Sequence, residues 1–548
     1  MEAFTEGPPQ AHIHKLHPDL LWLIFELNTA LVRHASERSS PTPNITTARR
    51  TSQVCRSWRN ILLASPSLWG RLIDLDTLNQ PTDNWRNEIM RRAGSAYLWI
   101  TGHILQLPTP SQTFFFSILT DRNCWNRIQR IVVDVQDIDP ADSRWDALCY
   151  PAPSLEVFRM SFALANPDIL PILHPHRTSN SAHYGSLFAN NAPSLREFDA
   201  RKIYFAPDVT WLSQLRHIFF PPWFPVSHVL KLLQKMPHLQ SLQPPEFFQP
   251  LPGISPENHK VDPPHLHLPN ITKFNIVATL DHCQAFMKHI TPAPGCGFSF
   301  IPMGPPLSEN SPLGMIDLHL AKHMHNYFKI HPPTALRFEC SRGIVNLQLD
   351  EVSDLHYSEY AFLVYVFAWD GIPFDLFCLL LDSISSSQPY FTSLENLSLD
   401  LYRFTKPALY ASLRSTLDAM ASVTTLRTNG ESVRVLLNLE LSHAVNGGRS
   451  ILFPALRTLQ IIYIALGRVD QLNPKSGDAD AILLFMRIRR QASIPTFKLD
   501  FSGYPSHPLR DITVEEELKG LGNRWVEESE LVENICEEWV SSRRNICS

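Results

Sequence analysis

The sequence predicts a mixed α+β / α/β protein: a small N-terminal helical module, then a long array in which short strands alternate with helices. Three observations carry this reading. Residues 16–69 place apolar side chains at helical spacing behind proline start signals. Beyond them, a phrase of three apolar residues at fixed offsets recurs down the chain. Segments with a 3.6-residue apolar period fall between its copies.

The module opens Leu16-His17-Pro18-Asp19-Leu20-Leu21-Trp22-Leu23-Ile24-Phe25. Pro18 at a first helical position, with Leu20, Leu21, Ile24, Phe25 and Leu27 behind it, gives one amphipathic helix. A second helical pattern runs from Thr47, with Val54, Trp58, Ile61 and Leu62 on a shared face. The module closes on Ser65-Pro66-Ser67-Leu68-Trp69. So short a segment cannot bury all this apolar surface alone, so part of the stripe is expected to meet a partner.

These residues resemble an F-box, in the form common among fungal F-box proteins. The match lies in leucine-x-proline-x-leucine opening a helix that ends in Ile24-Phe25, the run Val54-Cys55-Arg56-x-Trp58-Arg59, and the Pro66-x-Leu68-Trp69 close. It departs in a proline-bearing insert from Arg33 to Thr46, longer than the usual turn; a surface loop of this kind costs little entropy. The resemblance implies that Leu16, Pro18, Leu20, Leu21, Ile24, Phe25, Val54, Cys55, Trp58 and Trp69 dock a Skp-type adaptor, and through it a cullin scaffold. The plain alternative is a helical cap whose Trp and Leu residues are ordinary core.

Composition narrows the class. The chain has 548 residues, too many for one ordinary core, and a 44% apolar fraction suited to packed domains. Forty-eight Lys and Arg against 53 Asp and Glu give a net charge of −5 with no basic stripe, which argues against nucleic acid as the main partner. Proline (45) outnumbers glycine (20), as expected of many short units each opened or closed by proline. Nine dispersed cysteines without a CxxC pair indicate reduced thiols in the cytosol or nucleus. Met1 to His14 lacks the pattern of a signal peptide. Ala361 to Leu381, the most apolar window, carries Asp370, Gly371, Pro373 and Asp375, so a strand, a turn and a buried helix are expected there rather than a membrane span.

The recurring phrase has an apolar residue, two variable positions, a second apolar, one variable position and a third apolar. Ile128, Ile131 and Val133 fit it, as do Leu155, Phe158 and Met160, and Leu195 with Phe198. Further copies are Leu215, Ile218 and Phe220; Leu239 and Leu242; and Ile271, Phe274 and Ile276. Ile344, Leu347 and Leu349, then Leu394, Leu397 and Leu399, and Leu456, Leu459 and Ile461 complete the set. This resembles the frame of a leucine-rich repeat, which implies an irregular solenoid in which stacked strands bury a face that one unit cannot. The spacing of the copies is uneven. Proline-rich stretches at Gln243–Pro269 and Thr291–Leu313 read as loops on one face, either binding loops or plain insertions.

Catalytic signals are weak. His319, His323 and His325 lack the glutamate and third ligand of a zinc helix, and His265 and His267 merely alternate as in a strand. Gly295-Cys296-Gly297 precedes no phosphate-loop lysine, and Cys296 as a nucleophile needs a histidine that sequence cannot locate. The clusters Phe114-Phe115-Phe116 and Phe219-Phe220-Pro221-Pro222-Trp223 read as core or as a sticky surface. Residues 1–14 read as a loose tail, 15–75 as the F-box-like module, 76–510 as the irregular repeat domain, and 511–548 as an acidic helical cap or docking helix.

The expected function is that of a substrate-recognition subunit of an SCF-type ubiquitin ligase, cytoplasmic or nuclear. It is not an enzyme, needs no cofactor or metal, and binds an unidentified protein substrate away from membranes. The alternative is a leucine-rich-repeat scaffold or interaction protein with no ligase partner. An enzyme with a divergent site near His319 and Cys296 would need polar groups converging in one pocket, and no motif supports it.

Overall fold

The computed structural model describes residues 16–30, 44–105, 109–136, 142–163, 186–200, 202–245, 264–303, 313–341, 344–349, 362–367, 381–386, 388–401, 410–445, 451–463, 477–491 and 498–500. The expected N-terminal tail, most of the insert after Arg33, the acidic segment after Asp511 and parts of both proline-rich stretches lie outside the described residues. The chain is a mixed α/β protein with a large, mostly parallel sheet and several helices. It divides into two compact units, one of residues 1–423 with 448–455 and one of residues 424–447 with 456–548. Among the described residues no helix is long and apolar enough to cross a membrane.

The first unit begins with four short helices: α1 (Pro18–Ala30), α2 (Asn44–Thr51), α3 (Arg56–Leu63) and α4 (Pro66–Gly70). Pro18 and Pro66 stand at the starts of α1 and α4, where a missing N–H costs nothing. The single helix expected from Thr47 onward is two helices. Ser52 bonds its hydroxyl back to the Arg49 carbonyl at 2.7 Å, and Cys55 is extended (φ −155°) and caps α3, its sulfur accepting from the Trp58 N–H at 3.5 Å. Such side-chain bonds compete with a continuous helix.

The sheet of this unit contains β1 (Ile73–Asp74), β2 (Leu98–Ile104), β3 (Ile128–Gln136), β4 (Val157–Ala163), β5 (Glu197–Asp199), β6 (His217–Phe219) and β7 (Ser241–Gln243). After β8 (Leu266–Leu268) come β9 (Lys273–Thr279), β10 (Ile290–Pro292), β11 (Gly297–Met303), β12 (Ala335–Ser341), β13 (Ile344–Leu349), β14 (Phe362–Phe367) and β15 (Asn396–Asp400). Strands β1 to β7 lie in chain order, followed by β9, β11, β14, β13, β12 and β15, while β8 and β10 form a separate parallel pair.

One buried row crosses ten of these strands. Ile73, Ile100, Ile131, Phe158, Phe198, Ile218, Leu242, Phe274, Phe298 and Phe362 are successive register partners. None is more than 3% exposed. From Ile131 to Phe274 the row consists of the second apolar positions of the recurring phrase. Its first apolar position turns the corner: the N–H groups of Leu155, Leu195, Leu215, Leu239 and Ile271 each bond the carbonyl three residues back. The next residues then donate across to the preceding strand, as Arg196 and Arg216 do to Glu156 and Arg196 at 2.8 and 2.7 Å. Each buried Leu, Ile or Phe contributes about 1.5–3 kcal/mol, so the row is a main source of cohesion.

Two expectations are corrected. Ile344, Leu347 and Leu349 do form a strand, but β13 runs antiparallel to both β12 and β14 and so is not a repeat copy in the parallel sense. The stretch from Thr291 to Leu313 is not only loop: it contains β10 and β11, the latter with Phe298 and Phe300 buried. The aromatic clusters are core, since Phe115, Phe116, Phe219, Phe220 and Trp223 are buried.

Among the described residues the second unit has three parallel strands, Thr425–Asn429, Thr458–Tyr463 and Lys498–Asp500, with Leu426, Leu459 and Leu499 as register partners. Helices Gly430–Val445 and Gly477–Gln491 follow the first two strands and pack together.

Candidate adaptor-docking surface

Helix α1 is apolar on two faces, and the module divides them between core and solvent. Leu21 and Phe25, four residues apart, join Leu62 and Leu68 in a buried cluster against which Leu16, Trp22, Trp58 and Ile61 pack. Leu20, Leu23, Ile24 and Leu27 recur at the i, i+3, i+4 and i+7 spacing of the other face. They are exposed, as are Val54 in the turn before α3 and Leu63 at its end; the six range from 39% to 69% exposure. The four on α1 lie side by side on one helix face, on the scale of the largest apolar patch that an ordinary monomer exposes, about 300–600 Å².

The predicted adaptor contacts therefore separate into three groups. Pro18, Leu20, Ile24 and Val54 are exposed. Leu16, Cys55 and Trp58 are partly buried, Trp58 with its ring edge-on to Phe25 and Cys55 engaged as the cap of α3. Leu21, Phe25 and Trp69 are core. The Trp69 indole donates to the Leu62 carbonyl at 2.8 Å, and the Arg92 guanidinium lies 4.3 Å from its ring centre, so Trp69 ties the module to the next helix, α5 (Asn84–Ala93). Leu23, Leu27 and Leu63 belong with the exposed group and were not singled out as contacts from the sequence. Ile24 and Leu20 already set the face, and a helical wheel through them finds Leu23 and Leu27.

Two carboxylates in and beside the module are paired with arginines. Glu26 of α1 forms an ion pair with Arg71 after α4, and the Arg71 guanidinium lies 4.5 Å from the Trp99 ring centre. On α5, Glu88 accepts from Arg91 and Arg92 at 2.7 and 2.6 Å, and these bonds hold its carboxyl down at about 2.

Cys296, weighed in the sequence as a nucleophile, is placed among core groups. Its thiol is pushed up to about 12 by burial, and it donates to the Gly297 carbonyl at 3.3 Å. Among the described residues no group of three or more His, Cys, Asp or Glu is arranged to hold a metal ion.

No family model matches the chain, and no curated protein matches it. Among solved structures, a Bacteroides fragilis protein from a structural-genomics programme is similar at 11% identity, over 74% of this chain and 75% of its own, with a TM-score of 0.19. At that score the likeness carries no argument.

Proposed function

We propose that this chain is a non-catalytic substrate receptor of an SCF-type ubiquitin ligase. Its F-box-like module docks a Skp-type adaptor, which joins it to the cullin scaffold, and its irregular leucine-rich-repeat solenoid takes up the target protein. The observation that carries the reading is the exposed stripe Leu20, Leu23, Ile24 and Leu27, set on a helix whose opposite face is fully used by the module's own core. Four leucine and isoleucine side chains contiguous on one helix face, rather than scattered singly, support a docking role over a plain cap. The buried row of phrase positions across parallel strands supports the repeat reading of the rest.

In this role the chain acts by effective concentration: a target held on the array is kept close to the ubiquitin-carrying enzyme, so that transfer becomes nearly intramolecular. No residue of the chain touches the reacting atoms.

The test is co-purification of the full chain with a Skp-type adaptor, beside the variant Ile24→Asp/Leu27→Asp. Both positions are exposed, so the variant keeps its fold, checked by circular dichroism. Capture of the parent and loss of capture by the variant is the expected result. A folded parent that does not bind removes the ligase reading and leaves the scaffold reading in its place.

A further inference from the structure

Away from the helical module, a cleft of about 320 Å³ opens where β8, β10, helix α9 (Leu280–His289) and helix α10 (Leu313–Phe328) come together. Its polar lining is basic. His265 enters from the start of β8, Lys288 from α9, and His319, Lys322 and His323 from α10. The remaining lining is Met287, Ile290, Thr291, Pro292 and Asn326, so no carboxylate among the described residues reaches the cleft. His289 lies next to the cleft, its ring 5.6 Å from that of His265.

The groups are left uncompensated. Among the described residues neither Lys288 nor Lys322 has an ion-pair partner, although both are exposed and free to turn. His323 is only 7% exposed, lies flat on Phe298 at 4.8 Å and 4°, and makes no hydrogen bond among the described residues. Its ring nitrogens are not sealed off, so a group bound in the cleft can bond them. His319 is held below the usual histidine range by burial first and then by Lys322, His265, Lys288 and His289, which places all four within electrostatic reach of one ring.

We propose that this cleft binds a small oxyanion of the phosphate or sulfate class, with Lys288 and Lys322 as fixed charges and His265, His319 and His323 as donors. The site stands independently of the adaptor reading. A cation is disfavoured there by the two ammonium groups, whereas an oxyanion accepts from every polar group that lines the cleft except the Asn326 carbonyl oxygen. The cleft also lies where the two proline-rich stretches, Gln243–Pro269 and Thr291–Leu313, contribute β8 and β10, so the placement on loop-bearing sequence is the common one for a binding site.

Protonation strengthens the site. An anion stabilises the charged forms of His319 and His323, so binding takes up protons and tightens as pH falls. At His319 the opposing groups are Lys322 on α10, His265 beside β8, and Lys288 and His289 on α9; at His323 they are His319 and Lys322, and all of them oppose protonation until the anion is present.

The probe is sodium sulfate, whose charge does not change between pH 5.5 and 8, titrated calorimetrically into the full chain at constant ionic strength. The expected result is saturable binding, about tenfold tighter at pH 5.5 than at pH 8, competed by inorganic phosphate, and weakened about tenfold or more by Lys288→Gln/Lys322→Gln. A folded parent that shows no saturable binding, equal affinity in parent and double variant, or binding that weakens as pH falls would each overturn the assignment.

Discussion

Phe25 and Trp58 meet edge to face, their ring centroids 5.1 Å apart at 61°, and this contact ties the first helix of the module to the third. Ile24, one residue from Phe25, faces water. Adjacent residues on α1 thus have different surroundings, one buried in the module and one exposed.

That division predicts opposite outcomes for neighbouring truncations. Phe25→Ala empties a buried aromatic site and is expected to destabilise the module by about 3–5 kcal/mol. Leu27→Ala removes a side chain that is 69% exposed and should change stability by less than about 0.5 kcal/mol. Hydrogen exchange of the full chain reads both, as lost or retained protection over residues 18–63.

The buried row predicts that its aromatic members are costly to shorten. Phe198 stacks on Phe158 at 5.8 Å and lies 5.1 Å from Trp211, all three rings buried. Phe198→Ala should cost about 3–5 kcal/mol in urea unfolding. Phe114→Ala, outside that row and only partly buried, should cost clearly less.

A third expectation concerns the backbone. Phe188, Ala189 and Asn190 are three consecutive non-glycine residues at positive φ (58°, 48° and 57°). Phe188 fills the core, but the exposed Ala189 gains nothing from its Cβ. Ala189→Gly relieves the left-handed strain, partly offset by a freer unfolded chain, and should stabilise by about 0.5–1 kcal/mol in thermal unfolding.

The fourth is a pH dependence. Burial, and then His319 and Lys322, push His323 down to about 4. In the unfolded chain this imidazole protonates near 6.5, so between those values the unfolded state binds more protons. The neutral ring's stability contribution is therefore full above pH 6.5 and is lost as pH falls towards 4, on the order of 2–3 kcal/mol in chloride buffer. His323→Phe, which keeps the stack on Phe298, should flatten that acid limb; an unchanged limb would assign it to other groups.

Much of the parallel sheet was legible because the recurring phrase reports a real constraint: in the copies at Leu155, Leu195, Leu215, Leu239 and Ile271 the residue that turns the corner and the residue that faces the core are three apart. The strand at Gly297–Met303 escaped because it is one residue short. Cys296 turns the corner by bonding Ala293, Gly297 donates to Thr272, and Phe298 takes the core position only two residues on. Ile344, Leu347 and Leu349 kept the apolar spacing but not the direction, since alternation along a strand is the same whichever way the strand runs. In the module, Leu20, Leu21, Ile24, Phe25 and Leu27 read as one face because α1 is apolar on two. Only the packing of α3 and α4 shows which of those leucines are core.

The most direct measurement of the central claim is hydrogen–deuterium exchange of the full chain with and without a Skp-type adaptor. The account predicts new protection over residues 18–30 and 52–63, where the exposed stripe, Val54 and Leu63 lie, and none over the strands at 128–136 and 157–163. Protection confined to the array, or no change in the presence of saturating adaptor, would contradict it.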